Sequence, residues 1–261
     1  MKVLQITDLH LKGSPDWRLA GVDPSASYDA VLHRITPAMD GVDLVLATGD
    51  ISHNGDREAY RRFRRDFERF GKPVLVLPGN HDELTLMREE LGGGDVLRFG
   101  PDFLLDGWRF LLLNSQVPGA VGGRIGGEQL EWLGTALTRD RQTPVVVSLH
   151  HQPVPVGARW LDEQRVEDGE TLLEIVSRHP QVKLVVWGHV HQEFDRRHDG
   201  LRLLSSPSTC IQFKPDSAGF ALDTVNPGVR WLTLGGGGEV DTWVERIDGE
   251  WAPDRSTTGY D

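Results

Sequence analysis

The chain has 261 residues, a single cysteine (Cys210) and a formal net charge of −11, from 39 acidic against 28 basic residues. An acidic surface repels a polyanion, which argues against a nucleic-acid polymer as ligand, and one thiol excludes an internal disulfide and suits a reducing compartment. The opening Met1-Lys2-Val3-Leu4-Gln5-Ile6 turns polar too soon for a signal peptide. No apolar run approaches the ~20 residues of a membrane helix, so the expectation is a cytoplasmic protein with no membrane partner.

Short apolar runs, each followed by polar donors, recur along the chain. Val3–Ile6 reads as a strand and leads into Asp8-Leu9-His10; a helical spacing over 26–39 follows, then Leu44–Ala47 as a strand running into Gly49-Asp50. Residues 56–70 carry a second helical pattern with Asp56 as its cap. There Tyr60, Phe63, Phe67 and Phe70 form a core stripe, and Arg61, Arg62, Arg64 and Arg65 a solvated face. Val74–Leu77 precedes Gly79-Asn80-His81-Asp82, a helix opens at Gly126-Gly127, and Val145–Leu149 precedes His150-His151. A helix over 168–178 is followed by Leu184–Trp187 and then Gly188-His189-Val190-His191. After about residue 200, Leu201–Leu204, Gly219–Val225, Val229–Leu234 and Val240–Ile247 read as antiparallel strands added to the core, with a tail beyond about residue 250. The expected architecture is α/β: one domain over 1–261, with two packed sheets and helices on their outer faces.

The five polar clusters carry the chemistry. Sheets bind ligands at the carboxyl ends of their strands, and strand ends side by side in one sheet would bring these residues together. In an extended segment Asp8 and His10, two apart, share a face and can hold one metal. Asp50 has no second donor beside it and suits a bridge, Asn80 offers a neutral oxygen, and His150, His189 and His191 offer imidazoles. Seven such donors suit two metals, and a pair ~3.5–4 Å apart is the usual device for hydrolysing a phosphate ester. Two carboxylates against two dications and a hydroxide leave about one net positive charge, suited to a phosphodiester monoanion. His81 stands beside a donor and is placed to act as general acid, while Asp82 either orients it or, the favoured reading, caps the next helix. Strand alternation turns His151 away from His150. His53 is close enough to Asp50 to reach the pocket, Cys210 reads as a buried small hydrophobe, and Arg18 and Trp160-Leu161-Asp162 fall in loops near the mouth.

In order and spacing the five clusters resemble the D-x-H, G-D, G-N-H, H and G-H-x-H pattern of the calcineurin-like metallophosphoesterases. That resemblance implies a four-layer αββα sandwich. It also implies one metal on Asp8, His10, Asp50 and His191 and a second on Asp50, Asn80, His150 and His189. Most of the chain is further similar to the class III 3′,5′-cyclic AMP phosphodiesterases of bacteria. The segments that carry this are 150–155, Trp160-Leu161-Asp162, 188–193, 206–215, 220–224 and 227–231. The implied reaction is hydrolysis of 3′,5′-cyclic AMP to 5′-AMP by in-line attack of a metal-bridging hydroxide, with iron or manganese as the two divalent cations. Asp50 and His81 take the catalytic roles, and His10, Asn80, His81 and His191 contact the substrate. The alternative is a broad phosphodiesterase acting on glycerophosphodiesters or 2′,3′-cyclic nucleotides, because a metal pair alone does not select among diesters. A nuclease would need a basic groove, and a non-catalytic scaffold would have lost donors that are all present here. The run Gly49-Asp50-Ile51-Ser52-His53-Asn54-Gly55 lacks the Arg of G-D-x-x-D-R-G protein phosphatases and has His53 where purple acid phosphatases carry Tyr. The segment Pro118–Gly122 lacks the extra histidines of some class III relatives.

Overall fold

The computed structural model describes residues 1–198 and 200–259. Its strands are β1 (Lys2–Ile6), β2 (Leu44–Ala47), β3 (Val74–Val76), β4 (Leu97–Arg98), β5 (Asp102–Leu105), β6 (Trp108–Leu112), β7 (Val145–Ser148), β8 (Val182–Trp187), β9 (Phe194–His198), β10 (Leu201–Ser205), β11 (Gly228–Leu234) and β12 (Val240–Arg246). Its helices are α1 (Pro24–Ile35), α2 (Arg57–Glu68), α3 (Leu84–Leu91), α4 (Gly127–Arg139), α5 (Arg159–Asp162) and α6 (Gly169–Ser177). Two six-stranded sheets result, in the orders β12-β11-β1-β2-β3-β4 and β5-β6-β7-β8-β10-β9.

The inner strands are apolar on both faces because both faces are covered. Val3, Leu46, Phe110, Val146, Leu184 and Leu232 meet between the sheets. On the outer face of the first sheet Leu4, Val45 and Trp231 pack with Tyr28, Val31, Phe63 and Phe67 of the helices. Leu111, Val147 and Val185 do the same with Leu133, Leu137 and Leu172 on the other side. The result is the αββα sandwich. Parallel pairing aligns Ile6 with Ala47 and Ala47 with Val76 in one sheet, and Leu112 with Ser148 and Ser148 with Val186 in the other. The loops that follow therefore leave both sheets at one end.

Several elements differ from the sequence reading. The pattern over 26–39 resolves into α1, capped by Asp23, which accepts from the amides of Ser25 and Ala26, and a 3-10 turn over Thr36–Gly41. Pro37 is the reason, since its ring cannot continue an α-helix. Asp56 caps α2 as expected, accepting from the amides of Glu58 and Ala59. The strands after residue 200 are not one antiparallel addition. β10 runs parallel to β8 in the second sheet, whereas β11 joins the first sheet antiparallel to β1 and β12 follows antiparallel to β11. Gly219–Val225 is a loop held by one isolated bridge between Phe213 and Leu222, because Phe220 turns in to pack on Trp160 and Phe213. Four strands, β4, β5, β6 and β9, were not among those expected from the sequence. Beyond residue 250 the chain forms no helix or strand among the described residues, yet Trp251 packs against both outer cores and Asp254 N–H donates to the Ala20 carbonyl at 2.8 Å.

Two buried polar side chains stitch the sheets together. Gln5 Nε2, in β1, donates to the Trp187 carbonyl at the end of β8 (2.9 Å) and to Thr48 Oγ1 (3.1 Å). Arg230, in β11, is 1% exposed and donates to the carbonyls of Ser205 (2.9 Å) and Phe194 (3.2 Å) in the facing sheet and to Thr242 Oγ1 (2.9 Å). Burial lowers its guanidinium to about 10, against the weaker pull of Glu193 and Asp195. Arg230→Ala strands two buried carbonyls and is expected to cost about 3 kcal/mol. Urea unfolding checks this: the midpoint falls while the slope stays at the wild-type value.

Candidate metal centre

The loops after β1, β2, β3, β7 and β8 carry the clusters Asp8–His10, Gly49-Asp50, Gly79–Asp82, His150-His151 and Gly188–His191. They come from both sheets and meet across the sandwich, which replaces the expectation of strand ends side by side in one sheet. Nor does an extended backbone present Asp8 and His10. Asp8 (φ 53°), His10 (49°), Asp50 (51°), His189 (61°) and His191 (46°) all occupy the left-handed region. For non-glycine residues that conformation is sparsely populated and costs ~1–3 kcal/mol where it is strained. Its concentration on five donor residues marks a site whose geometry is imposed by its surroundings.

Backbone amides impose it. The N–H groups of Leu9 and His10 both donate to the Asp50 carbonyl (2.8 and 3.0 Å), and His189 N–H donates to the Asp8 carboxylate (3.0 and 3.1 Å). His81 N–H donates to Asp50 Oδ1 at 2.9 Å, and Ser208 Oγ–H donates to the Asp8 carbonyl at 2.6 Å. The approach is so close that a Cβ on Gly79 would lie 2.1 Å from Asp50 Oδ1, and one on Gly188 2.2 Å from Thr7 Oγ1. Only glycine fits either place.

The side chains form two groups joined by Asp50. On one side His191 Nε2 lies 3.3 Å from both Asp8 Oδ1 and His10 Nε2. On the other, Asn80 Oδ1 lies 3.1 Å from both His150 Nε2 and His189 Nδ1. Asp50 Oδ2 faces the two groups, 3.8 Å from His10 Nε2 and 3.3 Å from His150 Nε2. All seven residues singled out as donors thus lie in one cluster, and His189 and His191 diverge to its two halves. His150 Nδ1 lies 2.7 Å from the Thr48 carbonyl and His191 Nδ1 2.9 Å from the Ile211 carbonyl. A carbonyl only accepts, so each Nδ1 carries the hydrogen and each Nε2 faces the cluster.

The buried carboxylates and imidazoles govern one another's charge. Burial would raise the Asp50 carboxyl, but His150, His81 and His10 outweigh it and hold it well below the usual carboxylate range. Burial works against a charged His150, yet Asp50 and Asp8 prevail and lift it to about 9. Burial keeps His10 and His189 well below the ordinary imidazole value, in the neutral form that binds metal. Two carboxylates, an amide oxygen and four imidazoles, without a thiolate, fit divalent first-row cations of the manganese, iron or zinc kind.

Neighbouring residues divide into those that face the cluster and those that brace it. His53 is buried, with Nδ1 3.2 Å from His10 Nδ1 and its ring stacked on His81 at 4.7 Å. Asp82 does not cap the next helix: Glu83 caps α3, accepting from the amides of Thr85 and Leu86. The Asp82 carboxylate instead accepts from Gly79 N–H (3.0 Å), Ser52 N–H (3.0 Å) and Tyr60 O–H (3.1 Å). It thereby pins two of the loops to α2. Burial, then the charge of Asp50, raises it to about 7. His151 is not turned away: its ring lies 4.6 Å from that of His189, with Nδ1 2.8 Å from Ser115 Oγ and Nε2 3.0 Å from the Val121 carbonyl. With both nitrogens engaged it positions the Val121 loop. Cys210 is buried. Arg18 turns back on its own loop, to the Pro15 and Trp17 carbonyls and Asp23. Asp162 accepts from the amides of Val156 and Gly157, leaving Trp160 alone of its trio on the cleft. That cleft, about 250 Å³, is lined by Asp50, Asn80, His81 and His189 and by Val121, Trp160, Gln164, Phe213 and Phe220. Ser115 and Gln164 had no motif to announce them, and Ser208 stood in the 206–215 segment without an assigned role.

Residues 1–193 match the family model described as calcineurin-like phosphoesterase. The chain is 39% identical over 259 residues, 99% of this chain and 94% of the other, to the 3′,5′-cyclic adenosine monophosphate phosphodiesterase CpdA of Pseudomonas aeruginosa. To the protein of that name from Vibrio vulnificus (strain CMCP6) it is 40% identical over 261 residues, 100% of this chain and 95% of the other. In fold it is similar to a dimetal phosphatase from Danio rerio, with a TM-score of 0.64 at 18% identity, covering 95% of this chain and 99% of that one. The two-sheet sandwich and its Asp/His cluster belong with these matches: the chain is a member of the calcineurin-like phosphoesterase family. No helix among the described residues is long and apolar enough to cross a membrane.

Ser208 holds Asp8 in its left-handed conformation without facing the cluster itself. Ser208→Ala is expected to weaken Mn²⁺ binding about tenfold, the usual loss for a group that orients a metal ligand. Isothermal titration against wild type checks it.

Proposed function

We propose that the chain hydrolyses 3′,5′-cyclic AMP to 5′-AMP at a two-metal site. The observation that carries this reading is the convergence of seven donors into two groups sharing Asp50 Oδ2. The substrate is suggested by the names of the full-length relatives. Asp8, His10, Asp50 and His191 would hold one cation, and Asp50, Asn80, His150 and His189 the other. Iron or manganese suits this oxygen–imidazole set. When bound, two such cations would supply Lewis acidity at the phosphoryl oxygens and a water acidic enough to ionise near neutrality.

The chain's own residues do the rest. Asp50 bridges the two halves, and its Oδ1 is spent on His81 N–H, which fixes where His81 stands. The His81 ring packs on His53 (4.7 Å) and edge-on to His10 (4.9 Å) and opens on the cleft. It is the group placed to hand a proton to the departing 3′ oxygen as the bond from phosphorus to that oxygen breaks and water's oxygen joins phosphorus. Asn80 and His81 line the cleft beside the cluster, and with His10 and His191 they would contact the phosphate. The absence of an Arg after Gly49-Asp50 removes the clamp a monoester dianion would need, which favours a diester. A cytoplasmic location accords with this substrate.

Protein loaded with Mn²⁺ is expected to convert cyclic AMP to 5′-AMP, followed by chromatography of the nucleotides; a fully loaded protein that forms no 5′-AMP refutes the reading. Preference in kcat/KM for glycerophosphodiesters or 2′,3′-cyclic nucleotides would support the broader activity instead. Asn80→Ala and His189→Ala are each expected to lower turnover at least about 100-fold. Elemental analysis should show one of the two cations gone. His81→Ala should keep both cations and lose turnover about 100-fold, the share of a general acid.

A further inference from the structure

The cleft is lined by two chemically distinct sets of residues, the donor cluster and a largely apolar wall, and the wall suits a purine base. This inference rests on the cyclic-nucleotide reading above and adds to it which residues select the base. Besides Asp50, Asn80, His81 and His189 the lining is Val121, Trp160, Gln164, Phe213 and Phe220. The three aromatic rings are locked to one another: Trp160 lies 4.9 Å from Phe213 at 84° and 5.2 Å from Phe220 at 64°. The Phe213 ring also stacks on His191 at 4.3 Å and 16°, so the apolar wall begins directly on a residue of the cluster. Val121, 53% exposed, is one of the few large apolar side chains left open to solvent, and it stands on this cleft. A rigid aromatic wall beside a phosphate site is what a planar heterocycle stacks against.

Within that wall the free hydrogen-bonding capacity is narrow. Trp160 Nε1–H is already given to Ser217 Oγ at 3.2 Å. Gln164 is the other polar side chain in this wall, and among the described residues its amide makes no hydrogen bond to the protein. Its backbone is fixed all the same: Gln164 N–H donates to the Leu161 carbonyl at 2.9 Å, and the loop at Gly122 packs against its main chain. His151 holds that same loop through the Val121 carbonyl, so the walls of the pocket are tied to the cluster's own scaffold.

We propose that Gln164 is the specificity-determining residue of an adenine pocket walled by Trp160, Phe213 and Phe220. A primary amide offers one donor and one acceptor side by side, the complement of adenine's N6 amino group and an adjacent ring nitrogen. A carboxylate in its place accepts only. It loses the bond to the adenine ring nitrogen and gains a match to the adjacent N1–H and N2–H groups of guanine.

The test is the ratio of kcat/KM for 3′,5′-cyclic AMP over 3′,5′-cyclic GMP in the Mn²⁺-loaded enzyme. Gln164→Glu is expected to lower that ratio about tenfold or more, the discrimination of one bidentate amide–adenine pair. Gln164→Ala is expected to raise KM for cyclic AMP with little change in kcat. Titration of 5′-AMP and 5′-GMP onto wild-type protein supplies a readout independent of any variant, with 5′-AMP expected to bind tighter. Variants that fold, carry both cations and keep the wild-type ratio overturn the assignment while the phosphodiesterase reading stands. Wild-type enzyme that cleaves bis(p-nitrophenyl) phosphate but neither cyclic nucleotide overturns the substrate reading, and this assignment with it.

Discussion

Four imidazoles and two carboxylates are packed, almost without exposure, where the ends of two sheets close on each other. Burying ionisable groups at such density is unfavourable unless each has a partner. Here main-chain N–H groups supply much of the pairing: Asp8 accepts from His189, Asp50 from His81, and Asp82 from Gly79 and Ser52. Carbonyls serve the histidines in the same way, Thr48 for His150 and Ile211 for His191. Because each loop's backbone satisfies another loop's side chain, no single loop takes up its strained conformation alone. The left-handed residues, the close-approach glycines and the sheet-to-sheet bond from Gln5 all follow from that mutual dependence.

This arrangement explains why the sequence was so legible at the site and less so around it. The apolar runs Val3–Ile6, Leu44–Ala47, Val74–Leu77, Val145–Leu149 and Leu184–Trp187 are strands buried on both faces, and such strands announce themselves by composition alone. The polar cluster after each run marks the loop. What composition cannot carry is which sheet a strand joins. β8 and β2 look alike in sequence, and only the crossover connections assign them to opposite sides of the sandwich. β10 read as an antiparallel addition for the same reason: pairing partner and direction are properties of the whole fold.

Errors of finer grain have local causes. Asp82 precedes a helix, as a cap should, but Glu83 is one residue nearer and takes the role. Asp82 is then free to turn inward to three donors that no local pattern reveals. The alternation that turned His151 away from His150 applies to a strand, and β7 ends at Ser148, two residues too early for it. Gly219–Val225 has the apolar content of a strand, yet Phe220 is used to wall a cleft.

The two sets of residues lining the cleft divide the chemistry. The set made of Asp50, Asn80, His81 and His189 comes from loops that issue directly from buried strands, so its positions are fixed by the sandwich itself. The other set comes from the segments around Trp160, Gln164, Phe213 and Phe220, which lie in or beside short helices and loops and hold one another through ring contacts rather than sheet pairing. A centre of the first kind handles the phosphate, which every diester presents alike. Discrimination among diesters has to come from the second kind, where a ring or an amide can be exchanged without disturbing a strand. The contact of Phe213 with His191 is where the two sets of residues meet.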